Sequence, residues 1–215
     1  MKFPSADRKR RPSFSGQNCT VVNTDVAGFG ALQRNDRNRR IIRAAVLDMM
    51  RASLGRLWEE CASQDQGDGL LLVVPPAIPT AKVMERLHGE LPEELGKHNR
   101  TYDEPSRIRL RVAVTVGPIV SDPLGMSGEA IIRSSRLLDA PALKDAMKLA
   151  GASLGMIVSE FVHEHVIRHA EGWAGPGGYD AVEVNVKESH VRAWMQLIDP
   201  SPTAGSSSSA PVALS

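Results

Sequence analysis

Two aspartates set in glycine-rich turns carry the plainest chemistry in this sequence. Asp25 closes the apolar run "CTVVNTDV" and is followed at once by Ala27, Gly28, Phe29 and Gly30. Asp68 sits between Gly67 and Gly69, just before the apolar run Leu70–Val74. A carboxylate at the end of a buried strand offers a hard oxygen to a divalent cation. A glycine turn after it lets backbone N–H groups reach phosphate oxygens, near the positive end of the helix beyond. If the two strands are neighbours, both carboxylates meet at one end of a sheet. There they could hold two Mg²⁺ ions, one activating a hydroxyl and the other binding a triphosphate. Each signal also has a plainer reading: Asp25 could cap the next helix, and "GDG" is a common type I′ hairpin corner. Together, at this spacing, they favour the metal reading.

These residues need elements to hold them. Cys19–Val26 is rich in β-branched residues and predicts a strand ended by Gly28. Arg37–Glu60 predicts a helix with Ile42, Val46, Met49, Ser53 and Leu57 on one face. Leu70–Val74 reads as a buried strand closed by Pro75 and Pro76, and Ala81–Lys97 as a less regular helix containing Pro92. In Arg107–Gly117, Ile108, Leu110, Val112, Val114 and Val116 alternate with Arg109, Arg111, Ala113 and Thr115. That predicts a strand with one apolar face and one bearing guanidinium groups, which could line a site or simply be solvated. A polar connection over 118–128 leads to a helix from Glu129 that Pro141 interrupts. Next come a short strand Met156–Ser159, a helix Glu160–Ala170 and two strands, Tyr179–Val186 and Val191–Ile198, the last two joined by a tight turn. This order mixes β-α-β crossovers with a final hairpin. It predicts an α/β (α+β) sandwich in which helices cover a mostly antiparallel central sheet that could leave its other face for a partner.

The chain has 215 residues, 42% of them hydrophobic, enough for one good core. Residues 18–198 are expected to form it, between a disordered basic arm (1–17, containing "RKRRP") and a Ser/Pro/Ala-rich tail (199–215). With 26 basic and 25 acidic side chains the net charge is +1, so no global field marks a DNA, RNA or membrane binder. Two cysteines cannot build a secreted disulfide framework, no apolar leader follows Met1, and no long apolar run occurs, so a cytoplasmic location is expected. Other candidates are weaker. His165 and His169 have i, i+4 spacing without the H-E-x-x-H order, and no GxxxxGK occurs. Cys61 reads as a buried structural thiol, and Trp58, Trp173 and Trp194 as packing residues.

Four segments in order make the chain resemble the class III nucleotidyl cyclase catalytic domain, a ferredoxin-like fold: "NTDVAGFGAL", "QGDGLLLVV", "LRVAVTVGPIV" and "SGEAIIRSSRLLDAP". The resemblance implies that Asp25 and Asp68 ligate two Mg²⁺ or Mn²⁺ ions with the carbonyl of Val26, and that amides of Ala27, Gly28, Phe29 and Gly30 hold phosphates. It implies that Arg136 stabilises charge on the α-phosphate as pyrophosphate leaves, and that a nucleoside triphosphate is cyclised at a site shared across a homodimer. Gln64 stands where the family has its base-selecting lysine, with Gly125 near that lysine's partner position. Ile132 replaces the ribose-orienting Asn, and the phosphate-binding lysine of the last hairpin falls near Ser189, with Lys187 two residues away. The alternative expectation is a catalytically reduced domain that binds nucleotide and signals through a protein partner.

Overall fold

β1 (Gln17–Val26) is the strand from which the sheet is built, pairing antiparallel with β3 (Leu70–Val74) on one side and β4 (Leu110–Asp122) on the other. The computed structural model describes residues 16–122, 125–170, 178–186 and 189–198. Residues 1–15 of the basic arm, the tail, Trp173 and Lys187 lie outside the described residues, while Gln17 of the expected arm belongs to β1. β2 (Ala62–Asp65), β6 (Leu154–Ser159), β7 (Asp180–Val186) and β8 (Ser189–Ile198) extend the sheet in the order β2-β3-β1-β4-β6-β8-β7. The short β5 (Gly125–Ser127) folds back on the end of β4. Only the β4–β6 pair is parallel among the described strands, so the sheet is mostly antiparallel as expected.

Helices lie on both faces, not on one. Val22, Val26, Val112, Val114, Met156 and Val158 face α1 (Asp36–Leu54), α2 (Thr80–Gly89), α3 (Leu91–Thr101) and α6 (Glu160–His165) in the main core. The alternate residues, among them Val21, Ala113 and Ile157, meet α4 (Glu129–Leu138) and α5 (Pro141–Ala150). Burying both faces explains why β3 and β6 are apolar almost throughout.

Local chemistry sets the boundaries. Asn35 caps α1 in a reciprocal pair with Asn38, both bonds at 3.0 Å. Gly55, at φ 55°, ends α1, so the expected helix to Glu60 finishes as a 3₁₀ turn. Pro92 opens α3 in its first turn, where an absent N–H costs nothing, and divides the expected single helix into α2 and α3. The expected polar connection after Gly117 is instead the far half of β4 and its hairpin to β5.

One close approach decides where the two aspartates stand. A Cβ on Gly69 would lie 1.8 Å from the Thr24 carbonyl oxygen, so β3 can join β1 here only with glycine. Gly69→Ala should therefore lower stability by about 3 kcal/mol or more, as forced overpacking does. Gly30→Ala, with open space around it, should stay within about 0.5 kcal/mol of wild type. Urea midpoints of the two variants check the pair.

Candidate active site

The Gly69 approach brings the two aspartate segments together. Val26 N–H donates to the Asp68 carbonyl at 2.9 Å. Thr24 Oγ1 accepts from Leu70 N–H at 2.9 Å and donates to the Leu70 carbonyl at 3.2 Å, filling a backbone pair that β1 and β3 do not make directly. The hairpin carrying Asp68 is braced from below: Asp65 accepts from Gly67 N–H at 2.8 Å and pairs with Arg43 of α1. Asp25 and Asp68 thus stand at the same end of adjacent strands, Asp25 largely buried and Asp68 exposed.

Asp25 already has a charged neighbour. It lies directly opposite Arg111 in the β1–β4 register, and their side chains form an ion pair. The pair is 21% and 11% exposed, respectively, beneath the end of α4, whose Leu138 carbonyl accepts weakly from Arg111 Nη1 at 3.5 Å. Arg111 Nε is buried with no hydrogen-bond partner among the described residues. Burial pushes the Asp25 carboxyl above its usual range; the Arg111 guanidinium opposes this, and the negative charge of Asp68 adds to the rise. The Asp68 contribution is the electrostatic sign that the two carboxylates are close, and a divalent cation would relieve it. Arg111 thus lines the site rather than a solvated face. The signal was in the register: once β1 pairs with β4, the polar alternation of both strands places Arg111 beside Asp25.

The turn after Asp25 is internally braced. Ala27 N–H donates to the Arg109 carbonyl at 2.9 Å, Phe29 N–H to Val26 O at 3.2 Å, and Ala31 N–H to Gly28 O at 3.0 Å. Gly28 N–H and Gly30 N–H make no such backbone bond among the described residues, which makes them the amides available to an anion. Gly28 takes φ 66°, and Phe29 packs against the main core and anchors the turn. α1 begins at Asp36, within one residue of the expected Arg37 and one loop beyond the turn. Asp25 therefore does not cap it; Asn35 does.

The remaining predicted residues are spread over several elements. α4 is fixed to β1 by Asn23, whose amide donates to Ser134 and Ser135 hydroxyls at 3.2 Å each. Ile132 and Arg136 share another face of that helix, Ile132 exposed and Arg136 half-buried. Gln64 lies on β2, and a Cβ on Gly125 would be 3.2 Å from its Oε1, so the two base-position residues adjoin in one chain. Val186 pairs with Ser189 across the final two strands, and Lys187 lies outside the described residues. His165 packs at a tilt against Phe161, with ring centroids 4.7 Å apart, while His169 falls in a separate 3₁₀ turn, so they do not form a metal face. Among the described residues no cluster of three or more His, Cys, Asp or Glu could hold an ion. Asp25 and Asp68 are two carboxylates, fewer than such a cluster contains. Cys61 donates to the Leu57 carbonyl at 3.1 Å, and burial, with Glu60 nearby, pushes its thiol up to about 12, which suits a structural role.

The architecture matches solved cyclases. The chain superimposes on an adenylate/guanylate cyclase/hydrolase from Silicibacter pomeroyi with a TM-score of 0.56 at 19% identity, over 85% of this chain and 98% of that one. For the guanylate cyclase domain of RhGC from Catenaria anguillulae in complex with GTP the values are 0.57, 13%, 87% and 99%. For the catalytic core of a rhodopsin-guanylyl cyclase with converted specificity, in complex with ATPαS, they are 0.60, 13%, 85% and 96%. The chain therefore has the nucleotidyl cyclase catalytic-domain fold. No protein-family model matches the sequence. A 119-residue stretch, 53% of this chain, is 30% identical to the serine/threonine-protein kinase pkn2 of Myxococcus xanthus and spans 13% of that protein's length.

The electrostatic balance at Asp25 is open to measurement. Replacing Arg111 by Gln removes the influence that lowers the Asp25 carboxyl, so its midpoint in a carboxyl-carbon NMR titration should move further up; a downward move would contradict the assigned pairing.

Proposed function

We propose that this chain is a nucleotidyl cyclase domain that converts a nucleoside triphosphate into a 3′,5′-cyclic mononucleotide and pyrophosphate. The observation that carries the reading is the joining of Asp25 and Asp68 at one end of adjacent strands, within a cyclase fold. The two carboxylates and the Val26 carbonyl form an all-oxygen donor set, which fits Mg²⁺ or Mn²⁺. Two such ions, when bound, would supply Lewis-acid polarisation and charge neutralisation at the phosphates. Gly28 and Gly30 N–H groups would orient the phosphate chain, and Arg111 and Asp25 would set the local charge. The ribose 3′-hydroxyl loses its proton as its oxygen bonds to the α-phosphorus, while the bond to pyrophosphate breaks.

Arg136 would act from the partner subunit of a homodimer, opposing the charge that develops on the α-phosphate. The exposed Ile132 on the same helix face supports placing that face at an interface. Lys187 would add a cation at the phosphates. Gln64, beside Gly125, would contact the base, and a pyrimidine fits its amide as well as a purine. One observation favours a second reading, in which the domain binds nucleotide without turnover and acts on a protein partner. Ile132 cannot hydrogen-bond a ribose oxygen, and reaction geometry is worth much of a rate. No helix of the described residues is long and apolar enough to cross a membrane.

Incubation with ATP, GTP, CTP and UTP plus Mn²⁺ tests the proposal. Cyclic product with at least one base is expected, abolished in Asp68→Asn and lowered about 100-fold or more in Arg136→Ala with little change in nucleotide binding. Absence of product with every base, alongside metal-dependent nucleotide binding, would overturn turnover and leave the binding reading standing.

A further inference from the structure

β2 is an edge strand, and its alternation sorts its side chains between two surroundings. Ala62 packs on the side of α4, and Gln64 stands beside Gly125 on that same face. Asp65, one residue on, points to the other face and meets Arg43 of α1. There α1 and the β2–β3 hairpin leave a pocket of about 300 Å³, at the lower end of the size of ligand sites. Arg40, Arg43, Ala44 and Leu47 reach it from α1 at i, i+3, i+4 and i+7, one face of the helix, and Leu70 reaches it from β3. Leu70 belongs to the main core, so the pocket lies across the sheet from Asp25, whose partner Arg111 sits beneath α4.

The lining combines an apolar wall with two guanidinium groups. Ala44, Leu47 and Leu70 supply the hydrocarbon. Arg40 is exposed and makes no ion pair among the described residues. Arg43 offers Nε and Nη2 to one oxygen of Asp65, while the other oxygen accepts from Gly67 N–H at 2.8 Å. The Arg43 and Asp65 side chains are 58% and 42% exposed, so water screens their attraction and the pair opens at little cost. That pair also shows which head group suits this fork, a carboxylate. Two cations and one carboxylate line the pocket, which leaves one positive charge without a counterpart.

We propose that this pocket binds a small amphipathic monocarboxylate, its apolar body against Ala44, Leu47 and Leu70 and its carboxylate on Arg40 and Arg43. One negative charge matches the uncompensated cation, and the volume admits a compact body rather than a long chain. The site is separate from the metal, base and phosphate positions: Asp25 and Gln64 lie across the sheet, and no residue of the turn 27–30 lines it. A bound carboxylate competes with Asp65 for Arg43. Because Asp65 also holds the turn that presents Asp68, occupancy registers at Gly67 N–H. The proposal does not rest on cyclase activity.

A heteronuclear NMR titration of the intact chain with 2-naphthoate tests it. Saturable shifts of the Ala44, Gly67 and Leu70 backbone amides are expected. The alcohol 2-naphthalenemethanol, with the same rings and no charge, should bind about tenfold or more weakly. Ala44→Leu fills the pocket from an exposed helical position and should weaken 2-naphthoate about tenfold or more with an unchanged urea midpoint. Arg40→Gln should weaken the carboxylate about tenfold and leave the affinity of the alcohol as it is. No saturable shift at these amides, or 2-naphthoate binding undiminished in either variant, would overturn the site. Equal affinity for alcohol and carboxylate, or tighter binding of 2-naphthyl phosphate, would overturn the ligand class. An inactive chain that still binds 2-naphthoate would sink the turnover reading and leave this site intact.

Discussion

The position of both acidic residues depends on a contact that leaves no room for a side chain. Where Gly69 meets the Thr24 carbonyl, the hairpin of β2 and β3 closes against the end of β1, and Val26 and Asp68 share a backbone hydrogen bond. Any larger residue at 69 would push the hairpin away, and Asp68 with it. The Thr24 hydroxyl supports the same junction by serving both backbone groups of Leu70. Two carboxylates brought together in this way repel one another, and the fold bears that cost at the rim of its main core. Sites that store such repulsion are the ones that bind counter-charges.

The counter-charge within the chain is Arg111, and its place is dictated by β-sheet register. Because β1 and β4 run antiparallel with Asp25 opposite Arg111, the ion pair is as fixed as the sheet itself. It lies on the face covered by α4 and α5, so it is mostly shielded from water, and its attraction is less screened than that of a surface pair. Even so, burial still lifts the Asp25 carboxyl. Arg111 therefore offsets the isolation of Asp25 only in part, and a cation at the carboxylate pair would have charge left to neutralise.

Much of the fold was legible from residue types, and the exceptions share physical causes. β3 and β6 were readable because strands buried on both faces are apolar, and β1 because it is rich in β-branched residues. β2 was not, because "ASQD" at the sheet edge carries three exposed side chains and no hydrophobic pattern. The far half of β4 was hidden by Gly117 and Pro118, which read as a break. Gly117 is there because a Cβ would press to 3.1 Å on Ala130 of α4, and proline is tolerated because β6 stops pairing with β4 at Val114. Asp25 and Asp68 stood out as acids among glycines. The role of Arg111 could not, since it depends on which strand pairs with β1.

The central claim is that Asp25 and Asp68 together hold divalent metal with a nucleotide. Mn²⁺ electron paramagnetic resonance, titrated with and without a nucleoside triphosphate, addresses it directly. The account predicts nucleotide-dependent Mn²⁺ binding in the wild-type protein that is lost in Asp25→Asn and in Asp68→Asn, each with its fold intact. Mn²⁺ binding unchanged by either substitution would contradict it.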